Sequence, residues 1–164
     1  MDLSNEMIQI ASDRYERERD RYVKLTRYIE EVCRQEIVVQ CSIRAQITSR
    51  TKYPSSFKKK LRRFADEGRE DLFANVDSVF AKISDLAGVR ISLYSQADQS
   101  DVIAVLEKRF SGGRRSAGSD NEPPKIDVDV KDKNAIDANN FYRAVHCQVF
   151  LRDEDLKGDN ENLA

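Results

Sequence analysis

Positively charged and hydroxyl-bearing side chains lie close together between residues 50 and 60 of the chain. Arg50, Lys52, Ser56 and Lys60 supply a guanidinium group, two ammonium groups and a hydroxyl group, and Pro54 suits the first turn of a helix between them. Such groups, together with the free N–H groups at the start of a helix, are a means of binding polyphosphates. The segment therefore predicts a site for a phosphorylated ligand.

The positive charge of this segment is local. The whole chain has 28 basic and 29 acidic residues, whereas residues 41 to 65 include no Asp or Glu. A basic patch confined to one element favours a small anionic ligand, because proteins that bind long nucleic acids usually carry a basic surface over the whole domain. An RNA-binding regulator that uses this patch remains an alternative, and it would bind RNA with a steep dependence on salt.

A second candidate position is Asp85, which directly precedes a predicted strand. A carboxylate at the edge of a strand can hold Mg²⁺ beside a chain of phosphates. Arg90 lies on the following strand and points away from the face formed by Val89, Ile91 and Leu93. The alternative role for Asp85 is that of a turn or cap residue, which is how many such aspartates are used.

A third candidate pair lies near the end of the chain. Tyr142 and His146 are four residues apart in the predicted strand 141–151, so they share one face of it. A tyrosine can stack on a base, and a histidine can contact a phosphate. Alternatively His146, the only histidine, is a hydrogen-bonded, half-buried residue with no ligand.

The elements that must position these side chains follow from hydrophobic periodicity. A long helix is predicted from residue 7 to about residue 34, and its charged middle, 13–21, reads as a solvated face. Strands are predicted at 42–52, 89–94, 126–130 and 141–151, and helices from Pro54 to Gly68 and at 99–110. The predicted fold is α+β: a mixed or antiparallel sheet with flanking helices and a long N-terminal helix.

The composition sets further limits. With 164 residues, 40% hydrophobic and 35% charged, the chain is predicted to form one globular domain over 1–152, followed by a frayed acidic tail at 153–164. No apolar run approaches the roughly 20 residues of a membrane span. The three cysteines show no Cys-x-x-Cys spacing, which predicts reduced thiols and a cytoplasmic protein.

Three motifs, in this order, resemble the synthetase domain of RelA/SpoT-type alarmone ((p)ppGpp) synthetases, members of the nucleotidyltransferase superfamily. The family pattern R-x-K-x-x-x-S-x-x-x-K is met from Arg50 to Lys60, and D-L-A-G-[IV]-R is met from Asp85 to Arg90. The pattern N-G-Y-x-[SA]-[IV]-H is met at 140–146, except that Phe141 takes the place of the glycine. The resemblance covers roughly residues 8 to 151.

The resemblance implies transfer of pyrophosphate from ATP to the 3′-hydroxyl group of GDP or GTP. It also implies that the phosphates of ATP are bound by Arg50, Lys52, Ser56 and Lys60. By the same analogy Asp85 is the catalytic ligand of Mg²⁺, Tyr142 stacks on the guanine of the acceptor, and His146 lies close to the phosphates of the acceptor.

Two departures from the family pattern qualify this expectation. The family carries a glutamate in an E-x-Q motif on the next strand, and no such motif follows Leu151. We therefore expect the domain to be truncated at its C-terminus and the 164 residues alone to be inactive. Phe141 leaves the acceptor open, so the alternatives are a toxin-type relative that modifies adenine nucleotides or the 3′ end of tRNA, and a non-catalytic nucleotide-binding module.

Overall fold

The structure, a computed structural model, describes residues 3–112, 125–132 and 143–163. The chain divides into two compact units, one up to Tyr94 together with Leu163 and one from Ser95 to Asn162, and each is described here by itself. Both combine helices with a two-stranded antiparallel sheet, which confirms the predicted α+β class. Among the described residues, no helix combines the length and the apolar character needed to cross a bilayer.

The first unit contains three helices and two strands. They are α1 (Leu3–Cys33), β1 (Ala45–Thr51), α2 (Pro54–Asp66), α3 (Val76–Lys82) and β2 (Ala87–Leu93). A π-helix, Arg34–Gln40, continues α1, and a 3₁₀ turn, Glu70–Phe73, precedes α3.

The long helix α1 is amphipathic. Ile8, Ala11 and Tyr15 are buried at three- and four-residue spacing and face the core. On its solvent side Arg14 and Glu18 form an ion pair one turn apart. The predicted N-terminal helix is therefore confirmed, and the π-helix extends it to Gln40, about six residues beyond its predicted end.

Strands β1 and β2 pair in antiparallel fashion, with Ala45 opposite Leu93 and Thr51 opposite Ala87. Exposed and less exposed residues alternate along both strands, as the period of two predicts. Helix α1 packs against both strands, which supplies the support that an isolated pair of strands lacks.

Helix α2 begins at Pro54, as predicted, and buries Phe57, Leu61 and Phe64 on one face. It ends before Gly68, whose φ of 71° lies in the left-handed region that favours glycine after a helix. These three residues join the side chains of α1 in the core of the unit.

Tyr15 connects α1 to the segment that carries the predicted phosphate-binding residues. Its side chain is fully buried, and its ring lies 4.7 Å from that of Phe57 and 5.4 Å from that of Tyr22, measured between centroids. Its hydroxyl group donates a 2.7 Å hydrogen bond to the carbonyl oxygen of Lys52. One residue of α1 therefore supports both the end of β1 and the first turn of α2.

We expect the stability of the protein to fall in alkaline solution because of Tyr15. Burial raises the pKa of Tyr15 to about 12, from an ordinary value near 10. Between these values the folded chain holds a proton that the unfolded chain has released, so the free energy of unfolding decreases as the pH rises from about 10 to 12, by roughly 2–3 kcal/mol. Urea unfolding at several pH values measures this loss.

Tyr15→Phe removes the titrating group and should flatten this alkaline slope, although it is less stable than the wild type at neutral pH by about 1 kcal/mol through loss of the buried hydrogen bond. The matched control is Tyr94→Phe, since Tyr94 is 73% exposed. Equal alkaline slopes for the two variants would refute the assignment.

The second unit contains α4 (Gln99–Arg109), β3 (Asp127–Asp132) and β4 (Arg143–Gln148). The strands pair in antiparallel register, with Asp129 opposite His146. The predicted strand 141–151 is shorter in the structure, and its first two residues lie outside the described part of the chain.

The segment predicted to be a frayed acidic tail is folded over its first residues. Asp153–Leu156 form a 3₁₀ turn, and Asp155 is buried. Its carboxylate accepts hydrogen bonds of 2.8 and 2.6 Å from the guanidinium group of Arg109. The expectation of fraying was wrong because the ion pair with Arg109 holds this segment in place. The two residues are 46 positions apart, so the local sequence does not reveal their contact.

Candidate functional site

Two lysines and one aspartate form a compact cluster in the first unit. Lys52 donates a 2.8 Å hydrogen bond to Oδ2 of Asp85, and the ammonium group of Lys60 lies 2.8 Å from Oδ1 of the same carboxylate. Lys52 directly follows β1, Asp85 comes just before β2, and Lys60 lies on α2. Three different elements therefore meet at one carboxylate, which we call the Lys–Asp–Lys cluster.

The backbone explains why these residues meet. The N–H group of Lys52 donates a 2.9 Å hydrogen bond to the carbonyl oxygen of Leu86, so strand pairing continues one residue beyond Thr51. This bond places Lys52 beside Asp85, the residue before Leu86. Pro54 then starts α2 immediately, which brings Lys60 back over the same carboxylate after two turns.

The cluster carries a net positive charge in a partly dry environment. The side chains of Lys52, Lys60 and Asp85 are 10%, 22% and 49% exposed. Burial tends to raise the pKa of Asp85, but the hydrogen bonds and charges of the two lysines outweigh it, so the pKa lies below its usual range. Asp85 is therefore ionised at neutral pH, and one carboxylate balances two ammonium groups.

The first turn of α2 adds further donors. Pro54 occupies its first position and Tyr53 its N-cap, and no side chain caps the helix. The N–H groups of Ser55 and Ser56 therefore have no partner within the helix and carry the positive end of its dipole. Ser56 lies one turn before Lys60, so its hydroxyl group is on the face of α2 that carries this lysine.

Arg50 and Lys52, both predicted to bind the phosphates of ATP, differ in their surroundings. Lys52, directly after β1, is buried against Asp85, whereas Arg50 is exposed. Within the described residues Arg50 forms no ion pair with Asp85, and it lines a separate cleft beside α1.

The remaining predicted residues are placed as follows. Arg90 is exposed on β2, opposite Thr48 of β1, and faces away from the less exposed residues of its strand. His146 is exposed on β4 of the second unit, opposite Asp129. Tyr142 and Phe141 lie outside the described residues.

The side chains of the cluster that could ligate a metal ion decide whether it suits Mg²⁺. Within the described ranges, no group of three or more histidine, cysteine or acidic side chains is arranged to hold a metal ion. Asp85 alone is a half-exposed carboxylate, and Mg²⁺ is commonly bound by one or two carboxylates while substrate phosphates and water provide the other ligands. The residues therefore fit a Mg²⁺ ion that arrives with a nucleotide, and they do not form a site for the free ion.

Sequence reasoning missed Tyr15 and Arg19. Tyr15 was indistinguishable from any apolar residue of α1, because its hydrogen-bond partner is a backbone carbonyl group 37 residues away. Arg19 belongs to the charged stretch that read as a solvated helix face, yet it lines the cleft beside α1. Arg19 differs from its exposed neighbours only because the packing of α1 on β1 places it beside the strand, and the sequence alone does not show that packing.

Comparison with known proteins agrees with the motifs. The family model for the region found in RelA/SpoT proteins matches residues 49–162, which is more than half of the chain and includes the Lys–Asp–Lys cluster. Searches of curated proteins and of solved structures gave no match. With this match, and with the predicted lysines and aspartate in contact, the chain belongs to the RelA/SpoT family.

Proposed function

We propose that the protein binds ATP at the Lys–Asp–Lys cluster and transfers its pyrophosphate group to the 3′-hydroxyl group of GDP or GTP. The observation that carries the proposal is the meeting of Lys52 and Lys60 at Asp85, beside the uncapped first turn of α2. Membership of the RelA/SpoT family supports a nucleotide substrate. Such a reaction belongs in the cytoplasm, where these nucleotides are found.

The chemistry needs charge stabilisation more than covalent catalysis. The 3′-hydroxyl group loses its proton to solvent as its oxygen forms a bond to the β-phosphorus of ATP, the bond from this phosphorus to the bridging α–β oxygen breaks, and AMP leaves. Lys52, Lys60 and the N–H groups of α2 would neutralise the charge on the transferred group. Asp85 would hold Mg²⁺, which when bound reduces the repulsion between the phosphates and the nucleophile.

The ion pairs of the cluster suggest how binding begins. In the structure Asp85 takes one hydrogen-bond donor from each lysine. Each ammonium group has three donors, so both lysines can bind phosphate oxygens without leaving Asp85. The cluster would therefore be pre-organised, with its long side chains already held in place before the nucleotide arrives.

We place the acceptor near Tyr142 and His146, with the base on the tyrosine ring and the phosphates toward the histidine. Because Phe141 takes the place of the family glycine, an adenine nucleotide or the 3′ end of tRNA remains a competing acceptor. A transfer assay with γ-labelled ATP and each acceptor in turn identifies it by the labelled product.

A second candidate function is nucleotide binding without transfer. The segment after β4 forms two 3₁₀ turns, Asp153–Leu156 and Gly158–Leu163. Its buried Asp155 accepts a hydrogen bond from Arg109. No Glu-x-Gln motif occurs there to supply the family's metal-binding glutamate. Undiminished ATP binding with no labelled product for any acceptor would favour this candidate.

The ATP site is tested by replacing Lys60 with glutamine. A hydrogen bond between charged groups contributes about 1.5–3 kcal/mol, so the affinity for ATP should fall roughly tenfold or more, as measured by calorimetry. The matched control is Lys59→Gln, which removes the same charge from the neighbouring, exposed position of α2. Equal losses for the two variants would mean that only the overall charge matters, and the proposed site would be wrong.

A further inference from the structure

Lys52 is the least exposed member of the Lys–Asp–Lys cluster. Its side chain is 10% exposed, whereas that of Lys60 is 22% exposed and that of Asp85 is 49% exposed. It lies in the two-residue connection between β1 and α2, outside both elements. The contacts that hold this connection therefore decide where the ammonium group of Lys52 lies.

Both backbone groups of Lys52 are hydrogen-bonded to other parts of the first unit. Its N–H group donates to the carbonyl oxygen of Leu86 at 2.9 Å, and its carbonyl oxygen accepts a 2.7 Å hydrogen bond from the hydroxyl group of Tyr15. These bonds hold the two peptide groups on either side of the Cα atom, and only two soft torsion angles lie between those groups. Together they fix the direction in which the side chain leaves the backbone, toward Asp85.

The bond from Tyr15 is the contribution of α1. The side chain of Tyr15 is fully buried, and the bond itself is buried. If this donor is removed, a buried carbonyl group loses a partner, and rotation of the peptide toward water offsets the loss. Thr26, three turns further along α1, contacts the preceding residue, since its hydroxyl oxygen lies 3.0 Å from that of Thr51. Helix α1 thus holds two consecutive residues at the end of β1.

The ring of Tyr15 has a separate effect from its hydroxyl group. The ring packs against Phe57, with 4.7 Å between the centroids, and so supports α2, the helix that carries Lys60. The hydroxyl group contacts Lys52. Phenylalanine keeps the ring and removes only the hydroxyl group, so Tyr15→Phe should disturb Lys52 and leave Lys60 in place.

We propose that Tyr15 is a positioning residue for the phosphate-binding site and that it acts through Lys52. This role rests on the proposed function, in which Lys52 binds the phosphates of ATP. Tyr15 need not touch a phosphate, because its hydroxyl group holds the lysine in place before the nucleotide arrives and so lowers the entropy that binding costs. Tyr15 precedes the residues that the family model matches, so that match assigns it no role.

The position of Lys52 is tested without any nucleotide, by acetylation of the full chain and mass spectrometry of each lysine. A buried side chain reacts slowly because the reagent reaches it only when it moves. Tyr15→Phe should raise the rate at Lys52 about fivefold, as expected for loss of one hydrogen bond, and leave the rate at Lys60 within about twofold. An unchanged rate at Lys52 would refute the proposal, whatever the ligand is.

The matched control is Tyr22→Phe, which removes a hydroxyl group from the same helix. The rings of Tyr22 and Tyr15 lie 5.4 Å apart. In the part of the chain that the structure describes, the hydroxyl group of Tyr22 forms no hydrogen bond. This variant should acetylate like the wild type at both lysines. Equal acceleration by the two variants would show a general loosening of α1 and would overturn the proposal.

The functional consequence is tested by calorimetric titration with ATP. Tyr15→Phe should lower the affinity about fivefold, and Tyr22→Phe should leave it unchanged. Unfolding does not account for such a loss, because a domain of ordinary stability stays almost entirely folded after it loses one hydrogen bond.

Pairs of substitutions show whether Tyr15 acts through Lys52. In a chain with Lys52→Gln, Tyr15→Phe should change the ATP affinity by less than about twofold, because the group that it positions is absent. In a chain with Lys60→Gln, the fivefold effect should persist. The same fivefold loss in both backgrounds is what a merely structural role predicts, and it would rule out action through Lys52.

These measurements also separate this role from the proposed function. If Lys52→Gln and Lys60→Gln both leave ATP binding unchanged, the proposed ATP site is wrong, and the acetylation rates still decide whether Tyr15 holds Lys52. If both weaken ATP binding while Tyr15→Phe does not, the ATP site stands and Tyr15 does not position it.

Discussion

Replacing Asp85 with asparagine is expected to abolish pyrophosphate transfer and, at the same time, to tighten the binding of a bare polyphosphate. Asparagine keeps the size of the side chain but removes the charge that now balances Lys52 and Lys60. Both ammonium groups then become available to phosphate oxygens, so the affinity for tripolyphosphate should rise several-fold. Transfer should fall by a factor of about 10²–10³ or more, because the charged group that supports the transition state is lost.

The same substitution should cost stability. Lys52 is buried and would lose its counter-charge, a change that costs about 3–5 kcal/mol when both partners are fully buried. Since half of Asp85 is exposed, we expect only about 1–2 kcal/mol. The lowered pKa of Asp85 also means that this stability, present above pH 4, is lost as the pH falls through the folded-state pKa, and the asparagine variant should lack that loss.

The matched control is Asp66→Asn, which removes a carboxylate from the exposed end of α2. Its tripolyphosphate affinity and stability should stay close to those of the wild type. Weaker polyphosphate binding by Asp85→Asn would contradict the proposed arrangement, even in a chain that performs no transfer.

Replacing Phe57 with alanine is expected to be the most destabilising of these changes. Its ring is fully buried, and its centroid lies 4.7 Å from that of Tyr15 and 5.7 Å from that of Phe80. Loss of a buried phenyl group costs about 3–5 kcal/mol, because the cavity is only partly refilled. A domain with about 5–15 kcal/mol of total stability would lose a large share of it.

Urea or thermal unfolding measures this cost, and Tyr94→Ala provides the control. Tyr94 is 73% exposed, so its loss should change the free energy of unfolding by about 0.5 kcal/mol or less. Since Phe57 follows Ser56, the alanine variant should also bind ATP more weakly, through disorder in the first turn of α2. A variant as stable as the wild type would show that Phe57 does not hold α2 in place.

The elements of the first unit were largely predictable because their hydrophobic patterns are local. Ile47 lies inward between exposed neighbours, and Phe57, Leu61 and Phe64 follow the period of a helix. The meeting of Lys60 with Asp85 was also foreseen, since the order of the motifs implied a shared site. Local pattern and motif order were sufficient for these features.

Other features depend on contacts between distant residues, which a pattern along the chain does not encode. The burial of Lys52, two residues from the exposed Arg50, depends on its contacts with Asp85 and Leu86, which lie more than 30 residues further along the chain. The burial of Asp155 required Arg109, which lies 46 residues earlier.

The hydrogen bond of Tyr15 bears on which residues a stable fragment of this protein must include. Tyr15 lies well before residue 49, where the match to the family model begins, yet its ring packs on Phe57 and its hydroxyl group donates a hydrogen bond to the carbonyl group of Lys52. A fragment excised at the limits of that match would leave this carbonyl group without its partner and one side of Phe57 in water. A fragment that covers only the matched residues should therefore be less stable than the whole chain.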